Sequence, residues 1–212
     1  MAEDRLKTWE TLFQRALVLI DSTSAWGKAP TGWSFGGGTV LMRRHHHRFS
    51  KDIDIFIPDP QYLGYLTPRL NETAESLTTD YVEEAESLKL RFPEGEIDFV
   101  ASAALTRDPA TVETLFGRQV MVETSTEIVA KKLWHRGDRI AARDIFDVAM
   151  VAEMEPASLA AIRPVLRGRH DVVLARIAAQ DATLREDFAA LEVLDYRRSY
   201  DECIQRVSEA LT

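Results

Sequence analysis

Six consecutive residues, Asp52-Ile53-Asp54-Ile55-Phe56-Ile57, set the strictest limit on what this chain can become. Side chains along a strand alternate between faces, so Asp52 and Asp54 share one face while Ile53 and Ile55 share the other. Two carboxylates held side by side repel, and a divalent cation relieves the repulsion. Alone, the pattern also fits a solvated edge strand whose charges discourage aggregation. Its upstream context narrows the choice. Gly36-Gly37-Gly38-Thr39 precedes it, with twelve residues between Thr39 and Asp52. Glycines allow a tight turn and close approach to a polyphosphate, and the N–H groups opening a following helix form an anion site. Thr39 adds a hydroxyl.

A third carboxylate completes the expectation. Glu96-Ile97-Asp98-Phe99-Val100 alternates in the same way, so Asp98 faces opposite to Ile97 and Phe99. If this strand lies beside Asp52–Ile57, Asp52, Asp54 and Asp98 converge. Two magnesium ions held by the three aspartates would then serve in-line displacement at phosphorus, and Asp98 would stand nearest the acceptor hydroxyl as a base.

Around this segment the chain reads as two parts. An α/β part covers about 1–122: a helix over 4–21, a Gly/Pro loop over 24–32, a helix over 39–45, the Asp52–Ile57 strand, a helix over 61–77, strands over 80–85, 87–92 and 96–101, and a strand over 119–122. The segment Pro93-Glu94-Gly95 signals a hairpin. From residue 123 to 212 the pattern is helical. Thr124 followed by Glu127 fits a capping box; helices follow over 140–154, 156–166, 170–191 and 196–211, with a turn at Arg167-Gly168. The expected class is α+β: a mixed sheet with flanking helices followed by a C-terminal helical bundle.

These motifs resemble a known family. Phe35-Gly-Gly-Gly-Thr39, then Arg48-Phe-Ser50-Lys-Asp52-Ile-Asp54-Ile-Phe56, is similar to the signature of AbiEii/AbiGii-type nucleotidyltransferase toxins, within the polymerase-β-like superfamily. A second block, Glu127-Ile-Val-Ala-Lys-Lys132-Leu133 with Arg139 and Arg143-Asp144-Ile-Phe-Asp147, resembles the family's later helices. The resemblance implies NTP as substrate, magnesium dependence, and transfer of a nucleotide to an acceptor, with RNA, notably tRNA, as the acceptor class and a cognate antitoxin as a partner. Carried over, it places Gly37, Gly38, Thr39 and Ser50 at the nucleotide, with Lys132 at the triphosphate. Arg143 and Asp144 would shape the site, and Asp147 would orient a basic group. Two other functions share the same glycine and Asp-x-Asp logic: a small-molecule enzyme of the aminoglycoside- or lincosamide-modifying kind, and a non-catalytic nucleotide-binding partner protein.

Other features bound the function. The net charge is −8 and the chain has one cysteine, Cys203, so neither a broad nucleic-acid coat nor a disulfide framework is expected. No stretch reaches the roughly 18 apolar residues of a membrane span, and the start has no signal-peptide pattern; a soluble, cytoplasmic protein is expected. The run Arg43-Arg44-His45-His46-His47-Arg48 admits a phosphate contact, a solvated helix end or a metal site. Neighbouring helix residues point about 100° apart, so the three histidines cannot share one ion. No Gly-x-Ser-x-Gly elbow, His-Glu-x-x-His helix or P-loop occurs.

Overall fold

A computed structural model describes residues 5–166 and 168–211; Asp4 of the expected first helix and Arg167 of the expected turn lie outside them. The chain divides into two compact units. One comprises Met1–Val40, Ser50–Ala104 and Ala110–Val122; the other comprises Leu41–Phe49, Leu105–Pro109 and Glu123–Thr212. The passage at 122/123 is thus one of several, because two short stretches of the N-terminal half belong to the second unit.

The first unit is built on a seven-stranded sheet. In chain order its strands are β1 (Ser34–Gly36), β2 (Ile53–Ile57), β3 (Tyr81–Glu83), β4 (Ser87–Phe92), β5 (Gly95–Ala101), β6 (Ala110–Leu115) and β7 (Arg118–Glu123). Their spatial order is β3-β4-β5-β2-β1-β7-β6. β2 runs parallel to β5, β1 runs parallel to β7, and β1–β2, β3–β4 and β4–β5 are antiparallel. The expected strands over 80–85 and 119–122 appear as β3 and β7. β6 was not anticipated: of Ala110–Leu115, on an edge of the sheet, only Leu115 is buried, so its hydrophobic pattern is faint. A two-residue turn, Phe116-Gly117, joins it to β7, both residues with positive φ (52° and 74°), as tight hairpins of the primed type require.

One face of the central strands is fully apolar. Ile53, Ile55, Ile57, Ile97 and Phe99 are buried, and helix α1 (Thr8–Ser22) packs against β2 and β5. Its Trp9 and Phe13 meet Phe35 of β1, with the Phe13 and Phe35 rings 4.6 Å apart. The helix α2 (Gly37–His45) follows β1 without a loop. The single helix expected over 61–77 is broken into a 3₁₀ turn (Pro60–Tyr62), α3 (Leu63–Leu66) and α4 (Glu72–Leu77). Pro68 causes the break: the residue before a proline is pushed out of the helical region, and Thr67 sits extended at φ −73°, ψ 138°. Asn71 then restarts the helix, its side chain accepting from the N–H groups of Thr73 and Ala74.

The second unit is helical: α5 (Ser125–Arg136), α6 (Ala142–Met154), α7 (Pro156–Ile162), α8 (His170–Ala179), α9 (Asp181–Ala189) and α10 (Tyr200–Leu211). α6 is its centre, touching α5, α7, α9 and α10. Phe146 anchors the core, edge-on to Phe188 and Tyr196 and stacked on His47. The helix expected over 170–191 is two, hinged at Gln180, which leaves helical geometry at φ −122°, ψ 20°. Thr124 caps α5 by accepting from the Glu127 N–H, but Glu127 does not return the bond. Its buried carboxylate instead accepts from the N–H groups of Leu105 and Thr106 and from the Thr106 hydroxyl, tying down that short stretch.

Candidate active site

In the first unit two of the three expected aspartates, Asp54 and Asp98, come from neighbouring strands, while β2 begins at Ile53 and leaves Asp52 just ahead of it. Asp54 on β2 and Asp98 on β5 are register partners in the parallel pair. Both lie on the half-buried face, while Ile53, Ile55, Ile97 and Phe99 fill the apolar one. The row continues across the sheet: Gly36 of β1 partners Asp54, and Lys89 of β4 partners Asp98. Asp52 lies just before β2, where its Oδ1 accepts the Glu96 N–H at 3.0 Å. A Cβ at Gly95 would come within 2.8 Å of that oxygen, so the absent side chain is what admits Asp52.

Gly37 explains part of the glycine run. It turns strand β1 into helix α2 with φ +74°, and a Cβ there would stand 1.8 Å from Asp54 Oδ2. The opening of the helix is therefore pressed against the carboxylate. Gly38 and Thr39 follow and are buried. Thr39 is placed differently from its expected phosphate contact: its hydroxyl donates to the Asp52 carbonyl at 2.6 Å and shares a 3.1 Å hydrogen bond with the Ser50 hydroxyl. It braces the segment that carries Asp52.

Two residues at this site were not anticipated. Lys89 Nζ lies 3.0 Å from Asp98 Oδ2 and also donates to Glu96 Oε2. The signal was present in the sequence. The hairpin pairs Phe92 with Gly95, and counting back sets Lys89 opposite Asp98. Burial pushes the Asp98 carboxyl up from its ordinary range, with Glu96 and Asp52 acting the same way and Lys89 opposing. Burial lowers Lys89, but its bonds to Glu96 and Asp98 outweigh that and raise it.

The donor set bears on a metal. All three side chains offer carboxylate oxygens, the set that hard cations such as magnesium take, and their mutual repulsion is the kind a cation relieves. Among the described residues, however, no group of three or more His, Cys, Asp and Glu stands ready to hold an ion. Asp52 is turned to a backbone N–H, and Asp98 to a lysine. The residues fit magnesium by chemistry, with Asp98 committed elsewhere.

The second-block residues lie in the second unit and form a different cluster. Asp144 and Asp147, both fully buried on α6, meet Lys132 of α5 at 2.5 Å and 3.1 Å. Arg48 grips Asp147 with two nitrogens, at 2.6 Å and 2.7 Å, and His47 Nε2 lies 2.8 Å from the same carboxylate. Burial would raise both aspartates, but Lys132 and Arg136 outweigh it at Asp144, and Arg48, Lys132 and His47 hold Asp147 well below the carboxylate range. Lys132 thus spends its charge inside its own unit. Arg143, one residue before Asp144, is exposed. Each histidine of the run has a separate acidic neighbour: His45 meets Glu155, His46 meets Asp195, and His47 meets Asp147.

Comparison with known proteins identifies the family. A family model described as "Nucleotidyl transferase AbiEii toxin, Type IV TA system" matches residues 25–211. The chain belongs to this family. It is therefore a nucleotidyltransferase, and NTP is its substrate class. No curated protein matches significantly. Solved structures share the fold at low identity. One is a protein of H. pylori assigned as a nucleotidyltransferase (TM-score 0.51, 14% identity, covering 100% of this chain and 94% of that one). Another is the nucleotidyltransferase toxin MenT4 of Mycobacterium tuberculosis H37Rv (TM-score 0.50, 18% identity, 85% and 74%). A third is the antibiotic-resistance factor ANT(2'')-Ia (TM-score 0.52, 15% identity, 79% and 98%). Among the described residues no helix is long and apolar enough to cross a membrane.

Proposed function

We propose that this AbiEii-family nucleotidyltransferase transfers a nucleoside monophosphate from an NTP to an RNA acceptor, with tRNA as the acceptor class. Asp52, Asp54 and Asp98 would hold magnesium, two ions in the full complex. The observation that carries the proposal is the pairing of Asp54 with Asp98 in register, with Gly37 pressed against Asp54. Magnesium bound there would neutralise charge on the triphosphate. The remaining work falls to the chain. The N–H groups opening α2 at Gly37 and Gly38 receive phosphate oxygens. The acceptor hydroxyl oxygen attacks the α-phosphorus, the bond to the β-phosphate oxygen breaks, and pyrophosphate leaves. Asp98, raised by burial, is suited to take the hydroxyl proton. As a toxin-family member, the protein would have an antitoxin as its biological counterpart.

The test is incubation of wild type and Asp54→Asn with each α-³²P-labelled NTP and magnesium, with total RNA or, in parallel, an aminoglycoside as acceptor. Label in an RNA band with wild type, falling by about 100-fold or more in Asp54→Asn, is expected, because cation-borne charge stabilisation is worth several kcal/mol. Label on an aminoglycoside and on no RNA would overturn the RNA assignment. Equal labelling by both proteins would overturn the site.

A further inference from the structure

Lys89 stands where the aspartate site meets a fourth strand. The row Gly36, Asp54, Asp98 and Lys89 crosses β1, β2, β5 and β4 on one face. The ammonium closes that row by bonding Asp98, while its second partner, Glu96, sits on the same strand as Asp98. All three side chains are partly open to solvent, at 33%, 22% and 36% for Lys89, Asp98 and Glu96. A lysine is a compact point charge on a flexible four-carbon stem, so it can release one carboxylate and keep the other.

We infer that Lys89 is a resident counter-cation that holds Asp98 out of the metal site until a divalent cation displaces it, with Glu96 as the partner that retains the ammonium afterwards. This rests on reading the three aspartates as metal ligands. The charges favour it. Asp52, Glu96 and Asp98 crowd together, and the two cations beside them, Lys89 on Asp98 and Glu96 and Arg91 at 3.5 Å from Glu96, offset two of the three charges. A divalent cation on Asp98 relieves more repulsion than Lys89 does, while Lys89 loses only one of its two ion pairs. Lys89 acts through Asp98 and is a positioning residue.

The inference gives opposite signs to two neighbouring substitutions. Removing the competitor in Lys89→Gln frees Asp98 and tightens the site. Removing the retaining partner in Glu96→Gln leaves Lys89 wholly on Asp98 and weakens it. Manganese binding to the full chain, followed by electron paramagnetic resonance and calorimetry without substrate, reads this directly. Lys89→Gln should bind Mn²⁺ about 10-fold more tightly than wild type, the scale on which groups bonded to metal ligands act. Glu96→Gln should bind more weakly. The gain should vanish in Lys89→Gln/Asp98→Asn, and Lys89→Met, which keeps the stem, should repeat it. If wild type binds Mn²⁺ through Asp54, as Asp54→Asn would reveal, and Lys89→Gln and Lys89→Met bind no more tightly, the inference is wrong and the site stands. If Asp54→Asn leaves Mn²⁺ binding unchanged, the metal-site reading fails and the role of Lys89 fails with it.

Discussion

Both units gather aspartates, and they treat them in opposite ways. In the sheet unit, Asp98 is half-buried, shares its surroundings with Asp52 and Glu96, and has its carboxyl pushed up. In the helical unit, Asp144 and Asp147 are fully buried and have their carboxyls held down by Arg48, Lys132 and Arg136. The first arrangement leaves negative charge incompletely offset, which leaves work for a ligand. The second is closed: each buried carboxylate has a cation, and the cluster ties α5 and α6 to the 47–48 segment. Excess charge marks a site for chemistry, while matched charge in the interior marks architecture.

The sharpest way to break this comparison is Asp147→Ala. It leaves Arg48, Lys132 and His47 without their shared carboxylate in a buried setting, a change that costs about 3–5 kcal/mol. Urea denaturation should show that loss, whereas Asp54→Asn, which removes one of several like charges, should leave the midpoint near wild type. Equal losses would erase the distinction.

Gly37→Ala comes next. The new Cβ would stand 1.8 Å from Asp54 Oδ2 at a φ of +74°, and a non-glycine residue held there costs about 1–3 kcal/mol. Nucleotidyl transfer should fall while far-ultraviolet circular dichroism still reports a folded chain. Full activity in Gly37→Ala would show that Asp54 need not lie against the helix start.

The smallest effect concerns pH. Burial lowers His47, more than its bond to Asp147 raises it. Neutral His47 donates through Nε2 to Asp147, leaving Nδ1 buried without a hydrogen-bond partner. A folded value below the unfolded one, about 6.5, means stability is intact above that pH and declines as pH falls toward the folded value. One proton limits the slope to about 1.4 kcal/mol per pH unit. Asp144 and Asp147 act in the same direction only below the unfolded carboxylate value, about 3.9. Denaturation midpoints of His47→Gln should therefore fall less steeply than wild type as pH drops below 6.5. An unchanged slope would place His47 outside the titrating set.

Much of the sheet unit was legible in advance. The alternation in 52–57 and 96–100 assigned the faces, and the glycine run announced the strand-to-helix turn. The edge strand β6 was illegible because only Leu115 of its six residues is buried and the rest are exposed or half-buried. The broken helix at Thr67-Pro68 was legible by the proline rule and outweighed by the leucine spacing. Lys132 read as a ligand-facing lysine because its two aspartates lie 12 and 15 residues on, in another helix.

By itself, the amino-acid sequence determined which face Asp54 and Asp98 take, that a helix follows the glycine turn (though it begins at Gly37 rather than the expected Thr39), and the family to which the chain belongs. Those are properties of period and short motif, carried by neighbours in the chain. Tertiary structure alone decided that β2 and β5 pair in the register joining Asp54 to Asp98, that Thr39 braces Asp52, and that Lys132 is consumed by Asp144 and Asp147. A side-chain period is local, but the register of a parallel pair and the partner of a buried charge depend on segments far apart in the chain, and only packing brings those together.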